Sequence, residues 1–263
     1  MRRLAVVGLV SLDRVDGGLP RLGGVPVYAA RALRLLGQPA VLATKLADED
    51  RPRLAGLGVP VVAQSAGATI GFRIENDGDG RQMAIDELGE PFSEEDARGW
   101  LGRAVADADW VHAGALTRAA FPATTRDVLA RGRTLSLDGQ GLVRRPERGD
   151  VVLDADYDPA VLRHVSMLKL ARDELDALGL ELTERSLGSL GVREVVVTLG
   201  GGGAVVYADG LAEHVPTFPL EGIDPTGAGD SWTTAYLCYR RQRHSPISAA
   251  RLANGAVGAM LGR

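Results

Sequence analysis

A chain of 263 residues with 45% apolar residues can bury the core of one large α/β domain, or of one domain with a small appendage. Its formal charge of −4 argues against a nucleic-acid or anionic-membrane partner, and no apolar run approaches the roughly 20 residues of a membrane span. Cys238 is the single cysteine, which excludes an internal disulfide and any cysteine-built zinc site. The opening "MRRLAVVGLVSLD" reaches an acid at Asp13 and lacks a small-residue cleavage site, so a soluble, cytoplasmic protein is expected.

Along the chain, short apolar runs alternate with helical spacing. Strands are predicted over 4–10, 40–44, 59–63, 109–114, 134–138, 166–170 and 194–199. Most are almost continuously apolar, as parallel strands covered on both faces are. Helices are predicted over 28–37, over 93–105 with Ser93 and Asp96 as a capping box, and over 121–132. This is the pattern of an α/β, doubly wound, mostly parallel sheet. Two stretches break it. Residues 11–24 form a polar, Gly-rich excursion, and residues 68–87 read as two alternating strands around an Asn-Asp-Gly-Asp-Gly turn. Together they are expected to make a small β-lid inserted into a single domain spanning 1–263, with a cleft between lid and sheet.

The glycine-rich segments narrow the chemistry. The P-loop pattern is absent, and Gly8 is not followed by a dinucleotide fingerprint. "TLGGGGAVVY" (198–207) places four glycines between two strands, either as a flexible turn or as backbone opened for a close ligand. "DPTGAGDSW" (224–232) sets bare amides at Gly227, Ala228 and Gly229 before a helix in which Trp232, Ala235, Tyr236 and Tyr239 form a core-facing stripe. A helix start with free N–H groups favours an anion. Asp230 there is either a first-turn acid or the group that takes a proton from an attacking hydroxyl, as a phosphotransferase requires.

"DPTGAGDSW" resembles the second signature, D-T-x-G-A-G-D, of the ribokinase-like (PfkB) sugar kinase family, and the likeness runs along the chain in the family's order. "VVGLVSLD", "LGGVPVYAARALRLLG", "VVVTLGGGGAVVY" and "ISAARLANGAVGAML" are similar to the family's first strand, first helix, nucleotide-side strand and last helix. The resemblance implies a ribokinase-like fold and transfer of the γ-phosphoryl of ATP, with Mg²⁺, to a hydroxyl of a small sugar or polyol. It makes Asp230 the catalytic base and Gly227, Ala228 and Gly229 an anion hole. It puts Asp13, Gly23 and Gly24 at the substrate, Thr198, Gly200 and Gly202 at the nucleotide, and Asn254 near the adenine. Asp224 and Thr226 resemble part of the monovalent-cation (K⁺) site of some members. Lids of relatives often pair between subunits, which would give a homodimer.

Three departures stand out. Tyr28 or Ala29 falls where the family has an asparagine in the first helix. The N-x-x-E motif, tied indirectly to magnesium, is "ARDE": Glu174 is kept and Ala171 replaces the asparagine. The chain ends at Arg263, earlier than typical members, which would open one wall of the nucleotide site. "SLDGQGLVR" (136–144) resembles the D-x-Q-G-x-x-R segment of short archaeal and plant members that phosphorylate myo-inositol, and "GGVPVYAA" approaches the first-helix variant of that branch. On that likeness Gln140 and Arg144 bind a cyclitol's hydroxyls. The rival readings are a nucleoside kinase and a catalytically silent sugar- or nucleotide-binding regulator. His112, His164, His214 and His244 lack metal-ligand spacing and read as structural or surface residues; Lys45 either reaches the cleft or is solvated.

Overall fold

In a computed structural model, the structure describes residues 3–76, 81–219 and 224–262. The chain opens with β1 (Arg3–Gly8), β2 (Ser11–Val15) and β3 (Arg21–Gly23), then α1 (Val25–Leu36), which starts on Pro26 and stops at left-handed Gly37. β4 (Ala40–Leu46) and β5 (Val61–Ser65) follow, and then β6 (Ile70–Asn76) and β7 (Arg81–Glu87). The turn expected between the last two includes residues 77–80, which lie outside the described residues. Next come α2 (Glu94–Arg98), α3 (Trp100–Ala104), β8 (Ala108–Gly114), α4 (Ala123–Ala130), β9 (Thr134–Asp138), α5 (Gln140–Val143) and β10 (Gly149–Asp150). The remaining elements are β11 (Met167–Ala171), α6 (Arg172–Ala177), α7 (Glu184–Gly188), β12 (Glu194–Thr198), β13 (Ala204–Ala208), β14 (Leu211–Val215), α8 (Ala228–Arg241) and α9 (Pro246–Leu261).

These strands form two sheets. The larger has nine strands in the order β14-β13-β12-β11-β9-β8-β1-β4-β5, parallel from β12 to β5 with an antiparallel edge at β13 and β14. Its central strands are covered by helices, and Leu4–Val7, Leu42 and Val195–Val197 are inaccessible to solvent, or nearly so, as continuous apolar runs require. The doubly wound α/β expectation therefore holds. The second sheet has five strands, β10-β7-β6-β2-β3.

The differences from the sequence reading have local causes in some places and long-range pairing in others. Within the excursion 11–24, Ser11–Asp13 pair antiparallel with Arg21–Gly23, and β2 pairs in parallel with β6. β10 adds a strand to the same sheet through Asp150 and Ala84, a pairing between residues 66 positions apart that local pattern does not signal. The helix expected over 93–105 is two, because Gly99 leaves helical geometry at φ −96 and ψ −115; the Ser93/Asp96 capping box is present. Lys45 is neither solvated nor in the cleft: it is buried, with Nζ 3.1 Å from Asp96 Oδ2 and donating to Pro91 O.

One buried polar cluster ties α8 to the sheet. Arg240 Nη2 lies 2.8 Å from Glu194 Oε2, and the Tyr236 hydroxyl donates to Glu194 Oε1 at 2.6 Å. Removing one partner of such a pair strands the other's charge in a dry site. Glu194→Ala should lower unfolding free energy by about 3 kcal/mol, read as an earlier urea midpoint with an unchanged slope.

Candidate active site

β1 lies between β4 and β8, so the chain runs outward to β5, returns to β8 and then winds the other way through β9, β11 and β12. Open α/β sheets bind ligands outside the carboxyl ends of strands at such a reversal. A cleft of about 650 Å³ lies there. Phe72, Ile74 and Met83 of the smaller sheet wall it, and Asp230, Lys169 and Gln140 of the larger sheet's side line it.

Asp13 enters from β2. It is 5% exposed, accepts a 2.6 Å hydrogen bond from Ser11 Oγ, and has its pKa raised by burial, with the Ser11 bond and then the Arg21, Arg81 and Arg144 charges pulling the other way. A side chain on Gly23 would overlap the Asp13 carboxylate, so glycine there leaves room for the acid. Gly23 itself does not line the cleft, whereas Gly24 does.

At the start of α8, Gly227 takes a left-handed φ of 76° and its Cα rests against the Tyr28 ring. A Cβ there would run into that ring. Tyr28, rather than Ala29, is therefore the cleft-lining residue of the two; burial and the nearby charges of Asp13 and Asp230 push its hydroxyl up to about 12. Asp230, one turn into α8, lines the same cleft as Asp13. Burial and the Asp138 charge push its carboxyl up to about 7, against the pull of Lys169 and His112.

Beneath Asp230 lies a polar ladder that sequence reasoning missed. The strand register pairs His112 with Ser136 across β8 and β9, and Asp138 with Lys169 across β9 and β11. His112 Nδ1 is 2.7 Å from Ser136 Oγ and Nε2 is 3.1 Å from Asp138 Oδ2; Lys169 Nζ is 3.7 Å from Asp138 Oδ1. Burial opposes charge on Asp138, but Lys169 and the His112 bond outweigh it and its pKa is lowered. An ionised carboxylate only accepts, so His112 Nε2 carries a proton. The available signal was a His, a Ser, an Asp and a Lys interrupting otherwise apolar central strands. His112 is accordingly no surface residue, being fully buried.

Gln140 opens α5 and Arg144 follows its last residue; both line the cleft, with Arg144 also over the Phe72 ring at 5.6 Å. Gln140 Oε1 and Arg144 Nε are buried without a hydrogen-bond partner among the described residues. Glu174 caps α6 by accepting from Ala171 N–H at 2.7 Å and lines the cleft beside Asp173. Its pKa is raised by burial, with Lys169 opposing.

On the far side of the α8 start lies a second cleft of about 320 Å³. Thr198, Gly200, Ala228 and Gly229 line it, with Trp232 and Val257 forming apolar walls. Gly202 is not among its lining residues; its carbonyl meets His214 Nε2 at 2.8 Å instead. Asn254 does line it, but its Oδ1 accepts from Trp232 Nε1 at 2.7 Å and its Nδ2 donates to Val215 O and Pro216 O, so its amide is already engaged. Asp224 is exposed, accepts from Thr226 N–H at 2.9 Å and lies 3.5 Å from Arg21 Nη2; Thr226 lines the larger cleft. A cation at Asp224 would compete with that guanidinium. Among the described residues no group of three or more His, Cys, Asp or Glu is arranged to hold a metal, and no helix is long and apolar enough to cross a membrane.

Comparison with known proteins gives this geometry a context. A family model described as pfkB family carbohydrate kinase matches residues 10–262. An inositol 3-kinase of Zea mays is 32% identical over 138 residues, 51% of this chain and 35% of its own length. An inositol 3-kinase of Oryza sativa subsp. japonica is 30% identical over 142 residues, 51% of this chain and 34% of its own length. The matches thus span about a third of the length of these curated relatives. A solved pyrophosphate-dependent kinase in the ribokinase family, complexed with a pyrophosphate analog and myo-inositol, is 26% identical, with a TM-score of 0.83 and coverage of 99% of this chain and 95% of its own.

The Gly227–Tyr28 contact is the tightest constraint on the site. Gly227→Ala should lower stability by about 2 kcal/mol or more, because it adds left-handed strain to an overlap with a buried ring. Tyr28→Ala in the same chain should recover only part of the loss, since the strain remains. Thermal melting of the single and double variants checks both statements.

Proposed function

The chain belongs to the pfkB family of carbohydrate kinases, and on that premise we propose that it phosphorylates a hydroxyl of a cyclitol of the myo-inositol type. The observation that carries the acceptor class is the set of unspent polar groups in the larger cleft. Gln140 Oε1 and Arg144 Nε are buried and unpartnered among the described residues, and Asp13 stands in the same space. Leaving such groups unpaired is costly, so the ligand that fills the cleft carries hydroxyls on several sides. The apolar wall of Phe72, Ile74 and Met83 suits the C–H face of a ring. The inositol 3-kinase relatives and the myo-inositol complex support the same reading.

In the proposed reaction Asp230 takes the proton of the acceptor hydroxyl as the acceptor oxygen bonds to phosphorus. The bond from phosphorus to the bridging donor oxygen breaks, and its electron pair departs with the leaving group. The amides of Gly227, Ala228 and Gly229, at the positive end of α8, bind the oxygens of the transferred group. Asp13 orients the acceptor. The walls of the smaller sheet exclude water, which would otherwise compete for the phosphoryl group.

For the donor, ATP is the first reading: the second cleft is largely apolar and shares Gly229 with the α8 start. Pyrophosphate is the second, favoured by the similarity to the pyrophosphate-dependent kinase and by the full engagement of Asn254. Oxygen ligands suit magnesium, which usually arrives on phosphates and needs only one or two carboxylates. Of the acids lining the cleft, Asp173 and Glu174 would hold it, and when bound it would neutralise phosphate charge.

A coupled assay of myo-inositol, other cyclitols, pentoses and nucleosides against magnesium with ATP or pyrophosphate tests the reading. Turnover on nucleosides alone would replace the cyclitol assignment, and none on any acceptor would leave a silent binding protein. Asp230→Asn should reduce turnover by about 100-fold or more while the fold persists. Asp13→Ala should raise the acceptor KM by about tenfold with little change for the donor. Asp230 works only as the carboxylate and its pKa is pushed up to about 7. Activity should therefore fall about tenfold per unit of pH below that value and level off above it, as a pH profile of kcat/KM would show.

A further inference from the structure

Lys169 is a buried cation whose hydrogen-bonding capacity is unspent. It stands on β11 with a side-chain exposure of 4%, and among the described residues its ammonium makes no hydrogen bond. Among the described residues its one ion pair, to Asp138 Oδ1, is 3.7 Å long, and that oxygen too lacks a hydrogen-bond partner there. An ammonium has three donors, and one that opens on a cleft with none engaged by the protein is free to donate to a ligand there. The position says what ligand. Lys169 lines the cleft beside Asp230, and its Nζ lies 3.4 Å from where a Cβ on Gly229 would be. An anion held by the first amides of α8 is therefore within the ammonium's reach.

We infer that Lys169 is a catalytic residue, whose ammonium contacts the phosphoryl group as it passes from donor to acceptor. The inference rests on the kinase reading above. As the acceptor oxygen bonds to phosphorus and the leaving oxygen departs with the electron pair, the transferred group carries its negative charge past the start of α8. A fixed cation there holds that charge without reorganising. The chemistry also assigns Asp138 and His112 a task. Asp138 keeps the ammonium in place on one side and His112 orients Asp138 from the other, so both are positioning residues. The rival role for Lys169 is that of a plain counter-ion, which only neutralises Asp138 in the core.

Deleting the pair together separates the two roles. Lys169→Met alone leaves Asp138 unpaired and is open to misfolding, whereas Lys169→Met with Asp138→Asn removes one charge of each sign and keeps the net charge. Calorimetric binding of inorganic pyrophosphate, with magnesium and without acceptor, is the main readout. It stays informative even if no acceptor is ever phosphorylated, so failure of the kinase reading and failure of this inference are distinguishable. The double variant should melt within a few degrees of the wild type, yet bind pyrophosphate about tenfold or more weakly. With an accepted substrate, its kcat should fall by about 100-fold with the acceptor KM nearly unchanged. Wild-type affinity for pyrophosphate in the double variant would overturn the inference, as would a wild-type protein that binds no pyrophosphate. A double variant that fails to fold hands the decision to Lys169→Arg: the longer cation should retain pyrophosphate binding within about threefold, and its loss would overturn the inference.

Discussion

Asp138 is a carboxylate with no access to solvent, and Lys169 and His112, facing it from the neighbouring strands, hold its pKa down against burial. Much of the site depends on that balance. Burying a lone carboxylate would cost several kcal/mol, and burying the lysine alone would cost as much. Set side by side on parallel strands, they hold a charged layer at the carboxyl ends of the sheet, directly under the start of α8. Burial raises the proton affinity of Asp230 most, Asp138 raises it further, and Lys169 and His112 lower it. The outcome near neutrality comes from several strands, none of which carries the property by itself.

The two sheets divide the remaining work. The larger is apolar through its centre, so its strand ends are rigid and can hold side chains to a fraction of an ångström. The smaller is built from residues 11–15, 21–23, 70–76, 81–87 and 149–150, and it turns Phe72, Ile74 and Met83 towards the cleft. The α8 start separates the two clefts, with Asp230 facing one and Ala228 facing the other. That partition is what an in-line transfer between two bound molecules needs. Tyr28 completes it, since its ring presses on Gly227 where a smaller side chain would leave a gap.

Much of this was legible before any coordinates. Almost continuously apolar runs at 4–10, 40–44 and 194–199 point to parallel strands, because burial on both faces favours them. The start of α8 just after Gly227 was legible too, in the small residues that precede Asp230. The ladder under Asp230 was written in the sequence too, as His112, Ser136, Asp138 and Lys169. Each looked innocuous alone, since a single polar residue in a buried strand is often satisfied locally. Gly99 misled in the opposite direction: a helical spacing ran through it, and one backbone rotation split the helix.

Local sequence determined most of the larger sheet's strands, the helical character of α1, α8 and α9, and which turns need glycine, because backbone sterics and apolar periodicity act over a few residues. It also set the composition of the site, since Asp13, Asp230, Gln140 and Arg144 stand in recognisable strings. Only the tertiary structure decided which of these meet. The parallel register set Lys169 opposite Asp138 and His112 opposite Ser136. The pairing of β10 with β7 completed the smaller sheet, and packing of α9 on α8 consumed the amide of Asn254. Those outcomes follow from contacts between residues far apart in the chain, whose energies depend on burial and distance, and neither quantity exists until the chain has folded.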